Sequence, residues 1–226
     1  MNDKEQVAKH AARLVRDDML IGLGTGSTAN FFIEELARRM HEENLKIRAV
    51  SSSVVSAIKA RDLGLPLVSA DQISRLDLYV DGADEVAPDM TLLKGRGYDL
   101  VREKLLARAA DQFIVLVDQG KLVSRIGEKF PIPIEVMPFA WQLVKRAIES
   151  LGGAGDLRPN AAKDGLAITS HGSLVLDMTF DATLDGGELD ARLNAIPGVV
   201  EHGIFHRLAH TIFVAQDGRI EERHAQ

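Results

Sequence analysis

Short, continuously apolar runs separated by amphipathic helical periods predict an α/β chain built on a doubly wound parallel sheet, followed by a second, smaller α+β unit. Two further observations sharpen this. The clusters GTGST, SSS and DGADE stand where apolar runs end, and in parallel sheets ligands collect outside the carboxyl ends of the strands. From Pro131 the texture changes, with Pro133, Pro138 and a Gly152-Gly153 break marking a new unit.

The elements follow in order. Val7, Ala8, Ala11, Ala12, Leu14 and Val15 fall at helical spacing, and the apolar run 19–23, stopped by Gly24, reads as a buried strand. Beyond the glycine loop, 29–40 is periodic again, with Glu34, Glu35, Arg38 and Arg39 along one side, so a βα unit results. IRAVSS is strand-like, 54–63 helical, PLVS a short strand, and LDLYVDG a strand ending at Gly82. A helix over 100–110 and the buried strand FIVLVD complete a Rossmann-like sheet. Then come IPIEV, a helix over 140–151, LAIT, SLVLDMTF, a short helix over 188–194 and VVEHGIF. That β-α-β-β-α-β order is the split-βαβ, ferredoxin-like arrangement. The closing TIFVAQDGRIEE turns at Asp217-Gly218 and returns to the first unit. The expected domains are 1–130 with 208–226, Rossmann-like and catalytic, and 131–207, small and α+β.

Composition narrows the function. The chain of 226 residues carries 46% apolar and 27% charged residues, near the globular average, with a formal charge of -6. Such an acidic balance gives no footprint for a nucleic-acid backbone. The absence of cysteine removes disulfides, thiolate metal sites and a thiol nucleophile. No apolar stretch is long enough to cross a membrane, and the opening 20 residues do not form a signal peptide, so the cytoplasm is the expected compartment.

Four clusters offer chemistry. GLGTGST follows a strand and opens a helix, where backbone N–H groups, the helix dipole and the hydroxyls of Thr25, Ser27 and Thr28 meet an anion; a tight structural turn fits it equally. DGADE ends a strand with Asp81 and Asp84, a close pair suited to acid/base work, although the cluster taken alone reads more readily as solvated loop acids capping the next segment. No histidine stands beside it, which makes a metal the weaker reading. KGRG lets backbone approach a ligand at Gly95 and Gly97 while Lys94 and Arg96 bring positive charge, and Lys121 sits past the end of FIVLVD. Each is otherwise a solvated loop cation. Glu103, alone, reads as a surface helix acid. His202, His206 and His210 recur every four residues, but the strand-like run between them spoils a helical metal face.

Together, GTGST, SSS, DGADE, the Lys94 glycine loop followed by Arg102-Glu103-Lys104, FPIPIEVMP and NAIPGVV resemble the ribose-5-phosphate isomerase A family over nearly the whole chain, in order. The resemblance implies an aldose-ketose isomerase interconverting D-ribose 5-phosphate and D-ribulose 5-phosphate, in the non-oxidative pentose phosphate pathway. It implies Glu103 as the proton-transferring base, with Asp81, Asp84 and Lys94 as the other catalytic residues. The sugar phosphate is then held by Thr25, Gly26, Ser27, Thr28, by Gly82 and Ala83 of the turn, by Gly95, Arg96, Gly97, by Lys121, and by Lys4 near the start of the chain. No metal, nucleotide or redox cofactor is implied, and a homodimer or homotetramer is.

Two departures from the family pattern stand out. The loop is usually Lys-Gly-Gly-Gly followed by small residues, whereas here it is KGRGYDL, and SSSVVS lacks the polar or charged residue common after the serines. If residue 96 needs a positive φ against substrate, arginine is strained there. Arg96 and Tyr98 thus leave open a divergent isomerase of another short aldose phosphate. A sugar-phosphate-sensing module without turnover is the remaining alternative.

Overall fold

The computed structural model describes residues 2–181 and 185–225. Residues 1, 182–184 and 226 of the expected domain ranges lie outside them. In chain order the elements begin α1 (Asp3–Ala12), β1 (Leu20–Leu23), α2 (Ser27–Glu42), β2 (Arg48–Ser51), α3 (Val54–Asp62), β3 (Leu76–Gly82), β4 (Glu85–Val86) and β5 (Leu92–Leu93). They continue with α4 (Leu100–Ala109), β6 (Ala110–Asp118), β7 (Ile132–Val136), α5 (Trp141–Glu149), β8 (Gly153–Leu157) and β9 (Leu174–Phe180). The last are α6 (Gly186–Asn194), β10 (Val199–His202), β11 (Ile204–Phe205), β12 (Thr211–Gln216) and β13 (Arg219–His224). Among the described residues no helix is long and apolar enough to cross a membrane.

Two compact units result: Met1–Ala83 with Arg102–Lys121 and Arg207–Gln226, and Asp84–Val101 with Leu122–His206. The first holds a six-stranded sheet in the order β13-β12-β6-β3-β1-β2. Every pair from β12 to β2 is parallel, and β13 alone runs antiparallel at the edge. Buried strands need apolar residues on both faces, which is why LIGL and FIVLV read as unbroken runs. Ile21, Leu23, Val80, Ile114 and Phe213 pack with Val7, Ala11, Phe32 and Leu36 of the covering helices into one core. The closing hairpin turns through Asp217 and Gly218 at φ 49° and 77°, the positive pair a two-residue type I′ turn needs. Its outer strand RIEERH carries charges that discourage pairing with a further strand.

The second unit holds an antiparallel sheet β10-β7-β9-β8 and a three-stranded sheet β11-β5-β4. Ile132, Ile134, Val136, Leu176 and Met178 pack against Val144 and Ile148 of α5 and Leu189 and Leu193 of α6. With both helices on one core, the order β7-α5-β8-β9-α6-β10 is the split arrangement expected, but three expected strands come out differently, one of them in the first unit. LAIT is not the second strand; Gly153–Leu157 is, and LAIT keeps two isolated bridges, Leu166 to Pro159 and Ile168 to Leu174. PLVS of the first unit is reduced to one bridge, Leu67 to Ala49. VVEHGIF breaks at Gly203, so that Val199–His202 pairs with β7 and Ile204–Phe205 with β5.

Candidate active site

In the first unit, the loops after β1, β2, β3 and β6 leave the same edge of the parallel sheet, with Leu23 beside both Ser51 and Val80 and Gly82 beside Leu116. Asp81, fully buried at the end of β3, organises this edge. Its Oδ1 accepts from the Thr25 N–H (3.0 Å) and the Gly82 N–H (2.7 Å), while the Tyr79 hydroxyl donates to Oδ2. Gly24 makes the approach possible, because a Cβ there would run into the Asp81 carboxylate. The serine triplet supports the same loop. Thr25 Oγ1 donates to Ser53 Oγ (2.7 Å) and lies 3.0 Å from Ser52 Oγ, and the Ser56 hydroxyl donates to the Gly24 carbonyl at 2.8 Å.

Helix α2 starts at Ser27 with no side-chain cap, in contrast to α1, where the Asn2 side chain accepts from Glu5. Its first amide groups and dipole are therefore open to an anion. The Lys4 ammonium donates to Ser27 Oγ at 3.0 Å, bringing a cation to that helix start. Lys121, half-buried, follows the end of β6.

Glu103 is only 7% exposed, in the first turn of α4. It is no surface acid. Burial, then the negative charges of Asp81 and Glu103, hold the Tyr79 phenol well above the usual tyrosine range, so Tyr79 stays a donor and the two carboxylates share one electrostatic cluster with it. Tyr79, hidden within an apolar strand, was not among the residues the motifs single out. Its ring stacks on Phe113, centroids 4.9 Å apart.

In the second unit, the two acids that complete DGADE part company. Asp84 is half-buried, with its N–H donating to the Leu93 carbonyl at 2.8 Å. Glu85 is buried and accepts from the N–H groups of Gly127 (2.6 Å), Lys129 (2.7 Å) and Phe130 (2.8 Å), so it fastens a loop. Lys94 is buried, its N–H donating to Gly203 O at 2.9 Å and its ammonium 5.7 Å from the Phe205 ring centroid. The loop's left-handed residue is Gly95, at φ 95°, where a Cβ would also press on Leu100 at 2.8 Å. Arg96 is not among the residues of positive φ, so the strain considered for it does not arise. Its guanidinium lies 4.1 Å over the Phe130 ring, and the Ser170 hydroxyl donates to Asp99 at 2.7 Å. Arg96 and Asp99 are thus occupied with their own unit, while the Tyr98 side chain is exposed.

The histidines have local tasks. Those of His202 and His210 are to accept from the N–H groups of Ile204 (3.3 Å) and Phe113 (3.0 Å), and His206 lies 3.0 Å from the Thr91 hydroxyl. Among the described residues no three metal-ligating side chains cluster.

The family model for ribose 5-phosphate isomerase A (phosphoriboisomerase A) matches residues 48–219. The chain belongs to that family. It is 44% identical to ribose-5-phosphate isomerase A of Thermosynechococcus vestitus over 223 residues, covering 97% of this chain and 94% of the relative. The solved ribose 5-phosphate isomerase A of Methanocaldococcus jannaschii superposes with a TM-score of 0.93 at 41% identity, covering 98% of each chain. A D-ribose-5-phosphate isomerase in complex with phospho-erythronic acid superposes at 0.94 with 38% identity, covering 99% of this chain and 100% of that one. Isomerase A membership makes the α/β fold and the catalytic nature of the chain its own, and sensing without turnover falls away.

Proposed function

We propose that the chain interconverts D-ribose 5-phosphate and D-ribulose 5-phosphate with Glu103 as the base that carries the proton. The observation that supports this most is the burial of Glu103 within the electrostatic reach of the Asp81–Tyr79 pair. A carboxylate shielded from water is a stronger base toward a carbon acid than a solvated one.

In the forward direction Glu103 removes the proton from C2, and the electron pair moves through C1 to the aldehyde oxygen, giving an enediolate. The same carboxylic acid returns the proton to C1, and the O2 proton passes to O1 as the C2 ketone forms, so that no net proton is gained or lost. One base on one face suffices. Lys94 and the amides of Gly95, Arg96 and Gly97 supply positive potential to the oxygens where charge grows, which favours the transition state over the ground state. Asp81 and Asp84, with Gly82 and Ala83 between them, take the exchange of hydroxyl protons during ring opening and between O1 and O2. Thr25, Gly26, Ser27, Thr28, Lys4 and Lys121 take the phosphate. A homologue that holds phospho-erythronic acid fits this role, because its carboxylate stands in for the enediolate oxygens.

Self-association, as a homodimer or homotetramer, and a cytoplasmic setting complete the reading. Phe139 at 86% and Leu143 at 74% exposure, one helical turn apart, give the second unit an apolar surface of the kind subunit contacts cover. The net charge of -6 supports a partner list without nucleic acid. A coupled assay across aldose phosphates with chelator present tests the activity, ribose 5-phosphate being turned over undiminished. Glu103→Gln is expected to lower kcat by about 10²–10⁴-fold while leaving sugar-phosphate binding measurable. A variant of full activity would remove Glu103 as the base.

A further inference from the structure

Arg158, on the loop after β8, converges on the Lys94–Gly97 loop of its own unit. Its Nη1 donates to the carbonyls of Gly95 (3.3 Å), Arg96 (3.4 Å) and Gly97 (3.2 Å), and Nη2 donates to Gly95 again at 3.3 Å. The opposite side of the guanidinium is fixed. Nε and Nη2 grip the two carboxylate oxygens of Asp177 on β9 at 2.8 and 2.7 Å, and the Arg158 side chain is only 13% exposed. A planar fork held bidentately from behind has little freedom left, so the three carbonyls are gathered toward a fixed cation.

The consequence lies in the geometry of the peptide. In a trans peptide the carbonyl and the N–H of one unit point in opposite directions, and no peptide bond among the described residues is cis. Turning the carbonyls of residues 95, 96 and 97 toward Arg158 therefore turns the N–H groups of Arg96, Gly97 and Tyr98 the other way, all together. Among the described residues no loop hydrogen bond draws on these three N–H groups. Successive amides facing one direction form a concavity for an anion, and a cation at their carbonyl ends polarises them further. A Cβ on Gly97 would meet nothing within 4 Å, so the loop is uncrowded at that residue.

We propose that Arg158, oriented by Asp177, is a positioning residue of the isomerisation: it sets the peptides of the Lys94–Gly97 loop so that their N–H groups face the charge that develops on the substrate oxygens. This rests on the enediolate reading of that loop given above. Arg158 touches no reacting atom. Two further contacts hold the loop's outer part, Arg96 over Phe130 and the Ser170 N–H donating to Tyr98 O at 3.1 Å, but neither acts on three consecutive carbonyls.

The test separates positioning from mere stability by using two ligands, phospho-erythronic acid, with a carboxylate where the enediolate forms, and ribitol 5-phosphate, which has no charge there. In Arg158→Lys, which keeps the charge but loses the fork, kcat is expected to fall about 10–100-fold with KM within about twofold. Affinity for phospho-erythronic acid falls by a similar factor, and affinity for ribitol 5-phosphate stays within about twofold. Asp177→Asn gives the same pattern at smaller amplitude, and serves if the lysine variant does not fold. Unchanged kcat in folded variants, or equal weakening of both ligands, would overturn the proposal. Equal affinity of the wild-type protein for the two ligands would instead remove the enediolate reading of the loop, and the role of Arg158 with it.

Discussion

The Tyr79 hydroxyl donates to Asp81 Oδ2 from two residues upstream on the same strand. Alternation along a strand puts residues i and i+2 on one face, so β3 supplies both the carboxylate and the group that holds it. Burial and the neighbouring carboxylates raise the Tyr79 phenol well above its ordinary value of 10.0, whereas an unfolded chain releases that proton near it. The sign follows: a raised folded-state pKa gives stability that is full below about pH 10 and is lost as pH climbs toward the folded value. Tyr79→Phe is expected to lose about 1.5–3 kcal/mol at pH 7, the worth of a buried hydrogen bond to a charged group. Its stability then declines less steeply than the wild type's above pH 10, as urea melts at pH 7, 9 and 11 will show.

Lys4 acts differently, through a single exposed cation beside the uncapped start of α2. Lys4→Ala is expected to raise KM for ribose 5-phosphate about 10–100-fold, with kcat changed little, because the phosphate is bound alike in ground and transition states. Steady-state kinetics at low and moderate salt provide the check, since the wild-type advantage shrinks as salt screens the exposed charge.

Glu85 has the sequence context of a catalytic acid and the contacts of a structural one. Glu85→Ala leaves the Gly127, Lys129 and Phe130 amides without their acceptor, at a cost of about 3 kcal/mol or more. Chemical denaturation is expected to show that loss, while kcat of the folded fraction stays within about threefold of wild type. A kcat loss matching that of Asp81 or Glu103 variants would instead place Glu85 in the chemistry.

What the sequence revealed and hid divides along physical lines. The parallel sheet was legible because burial on both faces leaves unbroken apolar runs. Strand Gly153–Leu157 was not, because glycine there marks close approach: a Cβ on Gly155 would collide with the Asp177 carbonyl of the paired strand. The same residue type reads locally as a break. Glu103 was legible only through motif order, since nothing in LVREKLLARA tells a buried acid from a solvated one. Tyr79 vanished into an apolar strand, its hydroxyl giving no local signal. Arg158 lay in GDLRPN, outside every recognised cluster, because its role depends on β8 and β9 being paired.

The division of the chain into 1–83, 102–121 and 207–226 on one side and 84–101 with 122–206 on the other has a consequence for recombination and fragment design. No single cut releases either unit. A fragment spanning 122–206 would carry β11 without β5, the strand it pairs with, together with Arg158 but not the carbonyls it holds. An exchange that keeps either unit whole has to move separate segments together, because the second unit is written into the first as two insertions.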